Sequence, residues 1–85
     1  MTYVIKINPK VDKFLQKAEQ ELKERAKAKF KLLRENPFNY LKHFEGQDYY
    51  KLRVGDYRAL LDVDQKRKII FVRVFDHRSR IYKRK

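Results

Sequence analysis

The segment 49–64 constrains this chain more tightly than any other. Two alternating runs, Tyr49-Tyr50-Lys51-Leu52-Arg53-Val54 and Tyr57-Arg58-Ala59-Leu60-Leu61-Asp62-Val63, are separated only by Gly55-Asp56. A glycine-led dipeptide between two period-2 runs signals a two-residue hairpin, because glycine takes a positive φ at the first turn position without steric cost. Two turn residues fix the register. Val54 opposes Tyr57, Arg53 opposes Arg58, Leu52 opposes Ala59, Lys51 opposes Leu60 and Tyr50 opposes Leu61. Opposed residues share a sheet face. One face therefore carries Tyr50, Leu52, Val54, Tyr57, Ala59, Leu61 and Val63, which is a core face. The other carries Tyr49, Lys51, Arg53, Arg58, Leu60 and Asp62.

The rest of the chain must cover that core face. Thr2 to Ile7 reads as a strand with Tyr3, Ile5 and Ile7 on one side. Asn8-Pro9 supplies an N-cap and a proline at the first helical position. From there Val11, Phe14, Leu15, Ala18, Leu22, Ala26, Phe30 and Leu33 recur at helical spacing as far as Arg34. A single 25-residue helix would be ~38 Å long, too long for a globule of 85 residues. The stripe therefore implies a helical hairpin, with a bend expected between Ala18 and Arg25. Asn36-Pro37 ends the helix. Residues 37–48 read as a connector pinned to the core by Phe38, Tyr40 and Phe44.

After the hairpin, Asp64 to Arg67 reads as a polar turn and Lys68 to Val74 as a further strand. Pairing Val63 with Lys68 places Ile70, Val72 and Val74 on the core face and Arg73 opposite Arg58. The result is one α+β domain over residues 1–85, a helical hairpin packed on a mostly antiparallel four-stranded sheet in the order β-α-α-β-β-β.

On this register Arg53, Arg58 and Arg73 form a row across three strands, with Lys51 on the same face. Like charges opposed on a sheet are destabilising, so an anion over the row would give it a reason. The bland alternative is that long basic side chains cover apolar surface and keep their heads wet. The overall charge favours the anion. Lys plus Arg number 23 and Asp plus Glu 11, a formal +12, well beyond the roughly 2–8 units that solubility asks of a small domain. The excess is uneven. Residues 1–48 hold 11 basic and 7 acidic side chains, residues 49–85 hold 12 and 4. The second half is the expected anion-facing half.

Several function classes lose support. The chain has no cysteine, and its two histidines, His43 and His77, lack the spacing of a metal site. Gly46 and Gly55 are the only glycines, so no phosphate-cradling loop is present. Asp56, Asp62 and Asp64 read as turn or charge-balancing residues. No cofactor or metal is implied. No apolar run approaches the roughly 20 residues of a membrane span, and the alternating start is not a signal peptide. A cytoplasmic protein without a membrane role is expected. His77 could act as acid or base, although a lone loop histidine is more often without such a role.

Lys51-Leu52-Arg53-Val54-Gly55-Asp56-Tyr57-Arg58, followed after the last strand by His77-Arg78 and Tyr82, resembles the signature of the RelE/ParE toxin superfamily. Element order agrees over nearly the whole chain. RelE-like members are ribonucleases that cut messenger RNA in the ribosomal A site without a metal. ParE-like members share the fold and inhibit DNA gyrase. Both are neutralised by a cognate antitoxin. The resemblance implies an endoribonuclease in which Lys51 contacts or protonates around the scissile phosphate and Arg58 stabilises that phosphate. Arg78 is the late arginine, with Arg80 as a competitor for that place. Tyr82 is the base or a stacking ring. Arg53, Arg73, His77, Arg80 and Lys83 are then RNA-binding residues. Some members carry a second lysine where this chain has Tyr49.

The residue inventory suits that chemistry. RNA carries its own nucleophile in the 2′-hydroxyl, and attack on the adjacent phosphate needs charge stabilisation, a proton acceptor and a proton donor. A tyrosine ringed by Arg58, Arg73, Arg78 and Lys51 would have its phenolate favoured. Tyr82 could instead pack the chain end onto the sheet, and Arg78 could be a solvated loop charge. Three readings follow: a ribosome-dependent messenger endoribonuclease toxin, a gyrase-blocking toxin of the same fold, and a basic RNA- or ribosome-binding module. The expected partners are a cognate antitoxin and, on the first reading, a ribosome with message in its A site.

Overall fold

The computed structural model describes residues 2–43 and 45–81. The elements are β1 (Val4–Ile7), α1 (Pro9–Gln16), α2 (Gln20–Glu35), a 3-10 turn (Pro37–Asn39), β2 (Lys42–His43), β3 (Tyr50–Val54), β4 (Tyr57–Asp64) and β5 (Ile69–His77). The expected α+β class and helical hairpin are present. The sheet has five strands rather than four, in the order β1-β5-β4-β3-β2. The added strand, β2, is two residues long and comes from the segment read as a connector. The sheet is also mixed, because β1 runs parallel to β5 while the other neighbours are antiparallel.

Local signals explain the helix ends. Asn8 caps α1 through its side chain, which accepts from the Lys10 amide at 2.9 Å, with Pro9 at the first position. A straight helix from Pro9 to Glu35 would run ~40 Å, beyond the molecule's longest dimension of 33 Å. The break falls at Lys17–Glu19, at the N-terminal end of the expected window. Lys17 and Ala18 donate to Phe14 and Leu15, each at 3.2 Å, the tighter i→i−3 pattern of a closing turn. Glu19 is extended and opens α2. The fold-back lets Phe14 meet the rings of Tyr57 and Phe75, both at 6.0 Å.

The helices cover one sheet face. Ala26, Phe30 and Leu33 from α2 and Val11 from α1 pack with Leu52, Val54, Ala59, Leu61, Ile70 and Val72. Tyr3 joins this core while Val4, its neighbour in sequence, is exposed, as the period-2 reading of the first strand requires. The Tyr3 amide donates to the Arg34 carbonyl at 2.7 Å, tying the end of α2 to the start of β1.

The hairpin register is the expected one at every pair, and Gly55 has φ +58°. The next hairpin differs. Asp64 pairs with Ile69, not Val63 with Lys68. Lys68 takes the left-handed conformation at φ 58°, and the Asp64 side chain accepts from the Arg67 amide at 3.0 Å. That shift of two preserves the faces. A β-bulge then inverts them, because Leu61 pairs with Val72 while Leu60 pairs with Val74, leaving Arg73 as the extra residue. Phe75 takes the inward position opposite Ala59. Val74, expected in the core, turns to the other face with Leu60. Asp76, not Arg73, stands opposite Arg58.

Candidate nucleic-acid interface

The face of the sheet turned away from the helices holds the cations. Arg53 and Arg58 oppose each other across β3 and β4, and Lys42 opposes Lys51 across β2 and β3. Lys42, Lys51, Arg53 and Arg58, with Tyr40, line one cleft of about 290 Å3. The cationic row is therefore real but is built differently from the expectation. Its third strand is β2, carrying Lys42, and Arg73 does not belong to it. The bulge leaves Arg73 in the middle of β5, unpaired beside Leu60 and Leu61 rather than opposite Arg58; there Asp62 holds it at 3.5 Å and its guanidinium lies 5.8 Å from the Tyr49 ring centre.

Arg58 is fixed by its own hairpin. One terminal nitrogen, Nη1, donates to the Gly55 carbonyl at 2.9 Å and the Tyr57 carbonyl at 2.8 Å. Its remaining N–H groups are unused among the described residues. The guanidinium is thus oriented before any ligand arrives, which lowers the entropy cost of binding an anion. Arg53 is exposed and Lys51 half-buried.

The segment after β5 folds back over this face. The Arg78 amide donates to the Asp56 carbonyl at 2.8 Å, which fastens Arg78 to the tip of the β3–β4 hairpin and leaves its side chain exposed. Ile81 is fully buried against Leu60, with Tyr49 and Val74 alongside. Asp76 is the organising group here. It is 5% exposed, and its Oδ1 accepts from the His77 amide at 2.7 Å and from Arg80 Nε at 3.1 Å. Arg80 is therefore engaged in holding the turn, while Arg78 faces solvent. The Ser79 amide donates to His77 Nδ1 at 3.2 Å, which makes Nδ1 an acceptor and places the neutral ring's proton on Nε2. The His77 ring meets Tyr57 edge-on at 5.5 Å. Tyr82 and Lys83 lie outside the described residues.

Three participants escaped the sequence reading. Lys42 and Tyr40 sit in a segment with too few strand residues to show a period. Asp76 had a readable signal, a single carboxylate between Phe75 and His77 in a basic stretch. Among the described residues no three His, Asp or Glu side chains cluster as metal ligands would, and no helix is long and apolar enough to cross a membrane. A cavity of about 610 Å3 lies elsewhere, between β1 and the two helices. Ile5, Ile7, Leu15 and Phe30 form its walls and Lys27 and Lys31 part of its rim.

Fold and cleft together define a small basic α+β domain whose free sheet face is cationic, with an apolar groove on its helical side. The chain belongs to the RelE/ParE superfamily of type II toxin–antitoxin toxins: the family model described as "ParE toxin of type II toxin-antitoxin system, parDE" matches residues 5–82. The curated Methanocaldococcus jannaschii protein "Putative toxin RelE4" is 34% identical over 89 aligned positions, spanning 98% of this chain and 94% of that protein. A chain of the archaeal RelE–RelB complex from Pyrococcus horikoshii OT3 superposes with a TM-score of 0.79 at 30% identity, covering 94% of this chain and 99% of that one. E. coli toxin RelE, as a double mutant in the free state, gives a TM-score of 0.73 at 25% identity, covering 98% and 93%.

Proposed function

We propose that this toxin is a metal-independent, ribosome-dependent endoribonuclease that cleaves messenger RNA and so stops translation. The observation that carries the reading is the pre-oriented Arg58 guanidinium in a cleft with Lys42, Lys51 and Arg53, with Arg78 fastened beside the hairpin tip. The 2′-hydroxyl attacks the adjacent phosphorus, forming the 2′-O–P bond as its proton passes to a base, for which Tyr82 is the candidate. Charge builds on the non-bridging oxygens, where Arg58 and Arg78 act. The P–O5′ bond then breaks, and Lys51 is the candidate donor of the proton that the leaving oxygen takes. The products are a 2′,3′-cyclic phosphate and a 5′-hydroxyl. Fixed cationic donors aimed at developing charge are commonly the largest catalytic contribution.

The proposed partners are a cognate antitoxin, as in the RelE–RelB complexes, and the ribosome that presents the message. The apolar groove beside β1, rimmed by lysines, suits an amphipathic acidic antitoxin segment that folds as it binds. The match to a ParE family model favours a second reading, a gyrase-blocking toxin that cleaves nothing.

Purified protein added to a cell-free translation extract, followed by primer extension on the reporter message, separates the two. Discrete ribosome-dependent cuts that fade with Arg58→Ala, Arg78→Ala and Tyr82→Phe support cleavage. Arrest without cuts, or no arrest, removes it, and inhibition of supercoiling by purified gyrase then supports the second reading.

A further inference from the structure

We propose that Tyr40 and Lys42 form a subsite for one nucleotide of single-stranded RNA, with the base stacked on Tyr40 and a backbone phosphate held by Lys42. For its ligand class the inference rests on the RNA-directed reading above. Its geometry stands independently, in a short stretch of chain that packs hard on both sides of an outward-facing ring. Pro37 and Leu41 are buried, and the amides of Tyr40 and Leu41 both donate to the Pro37 carbonyl, at 3.1 and 2.9 Å. Tyr40 between them is 37% exposed and forms a wall of the cationic cleft. A ring held outward on a rigid base loses little entropy when it acquires a stacking partner.

Charge supplies the second argument. Lys42 directly opposes Lys51, and the next outward-facing pair on the adjoining ladder is Arg53 with Arg58. Directly opposed like charges destabilise a sheet, and this face carries two such pairs side by side. Asp62 pairs with Arg73, Asp64 with Arg67 and Asp76 with Arg80. Among the described residues Lys42, Arg53 and Arg58 have no acidic partner. An external anion relieves the repulsion. A phosphate beside an aromatic platform, in a groove lined by cations, is the combination that holds single-stranded nucleic acid irrespective of sequence. An acidic peptide would use the cations but not the open side of the ring, whose contact within the chain is Lys29 Nζ at 5.9 Å from the ring centre.

The test is a binding titration of the purified full chain with a short single-stranded RNA, 2′-O-methylated throughout so that it cannot be cut, carrying 2-aminopurine at each position in turn. Wild type quenches 2-aminopurine at one position as it saturates. Tyr40→Phe retains the quench. Tyr40→Leu loses it and binds about 5- to 150-fold more weakly, the range that one base stack covers. Lys42→Ala lowers the slope of log affinity against log salt by about 0.7, one phosphate contact on a single strand, and Lys42→Arg restores it. Lys66→Ala, on the exposed β4–β5 turn, changes neither quench nor slope.

The subsite is overturned if Tyr40→Leu binds within about twofold of wild type, or if Lys66→Ala costs as much as Lys42→Ala. It is also overturned if a glutamate-rich peptide binds as tightly as the RNA and loses as much with Tyr40→Leu. A wild type that quenches as described but cuts no message keeps the subsite and removes the cleavage reading. A wild type that cuts message while Tyr40→Leu binds normally does the reverse.

Discussion

Replacing Asp76 with alanine should destabilise this chain more than any other single carboxylate change. The side chain is 5% exposed and its Oδ1 takes two hydrogen bonds, from the His77 amide at 2.7 Å and Arg80 Nε at 3.1 Å. The two bonds are unequal in consequence. A hydrogen bond to a charged acceptor contributes about 1.5–3 kcal/mol, and removing the acceptor leaves a half-buried N–H without its partner. Arg80 is mostly exposed and can turn to water, so its half contributes about 1 kcal/mol or less. The sum is about 2–4 kcal/mol, against a total stability of about 4–13 kcal/mol for a chain this size. In urea denaturation followed by circular dichroism, Asp76→Ala should lower the midpoint by the equivalent of that loss. Asp76→Asn, which keeps an acceptor for the His77 amide, should lose about half as much. Arg80→Ala should lose about 1 kcal/mol or less. A loss below about 1 kcal/mol in Asp76→Ala would refute the reasoning. So would an Arg80→Ala variant as damaged as Asp76→Ala, because the ion pair would then outweigh the backbone bond.

Other consequences can be measured in the same way. Leu33, fully buried between α2 and the sheet, should cost about 2–5 kcal/mol on truncation to alanine, read as a shift of the urea midpoint. Gly55→Ala should cost about 1–2 kcal/mol because of its φ of +58°. A Cβ there would meet only the Arg25 side chain, Nη1 at 3.5 Å and Cδ at 3.8 Å, ordinary contacts, so Gly55→Asn should recover part of the loss. In the message-cleavage assay Arg58→Ala should slow cutting by about 10²–10³-fold, the usual effect of removing one preorganised charge stabiliser. Arg73→Ala should leave the rate within about twofold. Equal effects at these two arginines would mean that Arg73 reaches the cleft after all.

Legibility in the sequence followed the distribution of local signals. Gly55 fixed the β3–β4 register outright, and Asn8, Pro9 and Asn36-Pro37 marked helix ends by capping chemistry. The break between the helices carries no glycine or proline, so only the length of the molecule announces it, and its position could be placed no better than a window. The β4–β5 pairing failed for a physical reason. Ile70 and Val72 face inward with either register, and a plain alternation continued through Val74 would have sent Asp76 into the core. The bulge at Arg73 resolves that conflict by placing Phe75 in the helix-covered core and Asp76 on the opposite face, where the His77 amide and Arg80 bind its carboxylate. The conflict was present in the letters, but its resolution depended on Phe75 meeting Tyr57 and Phe14. The two-residue β2 has no period to read, so Lys42 and Tyr40 became visible only when the strand closed the cleft.

The parallel pairing of β1 with β5 has a kinetic consequence. Val4 lies beside Ile69, so β1 finds its sheet neighbour only far along the chain, after every other strand of the sheet has been made. During synthesis the hairpins and α2 can form from nearby sequence, but β1 has no strand to join until β5 has left the ribosome. Loops of that length close slowly and make the final docking the late step of folding. The five-stranded sheet therefore cannot be completed before β5 is made, and truncation before β5 should leave β1 without a strand to dock on.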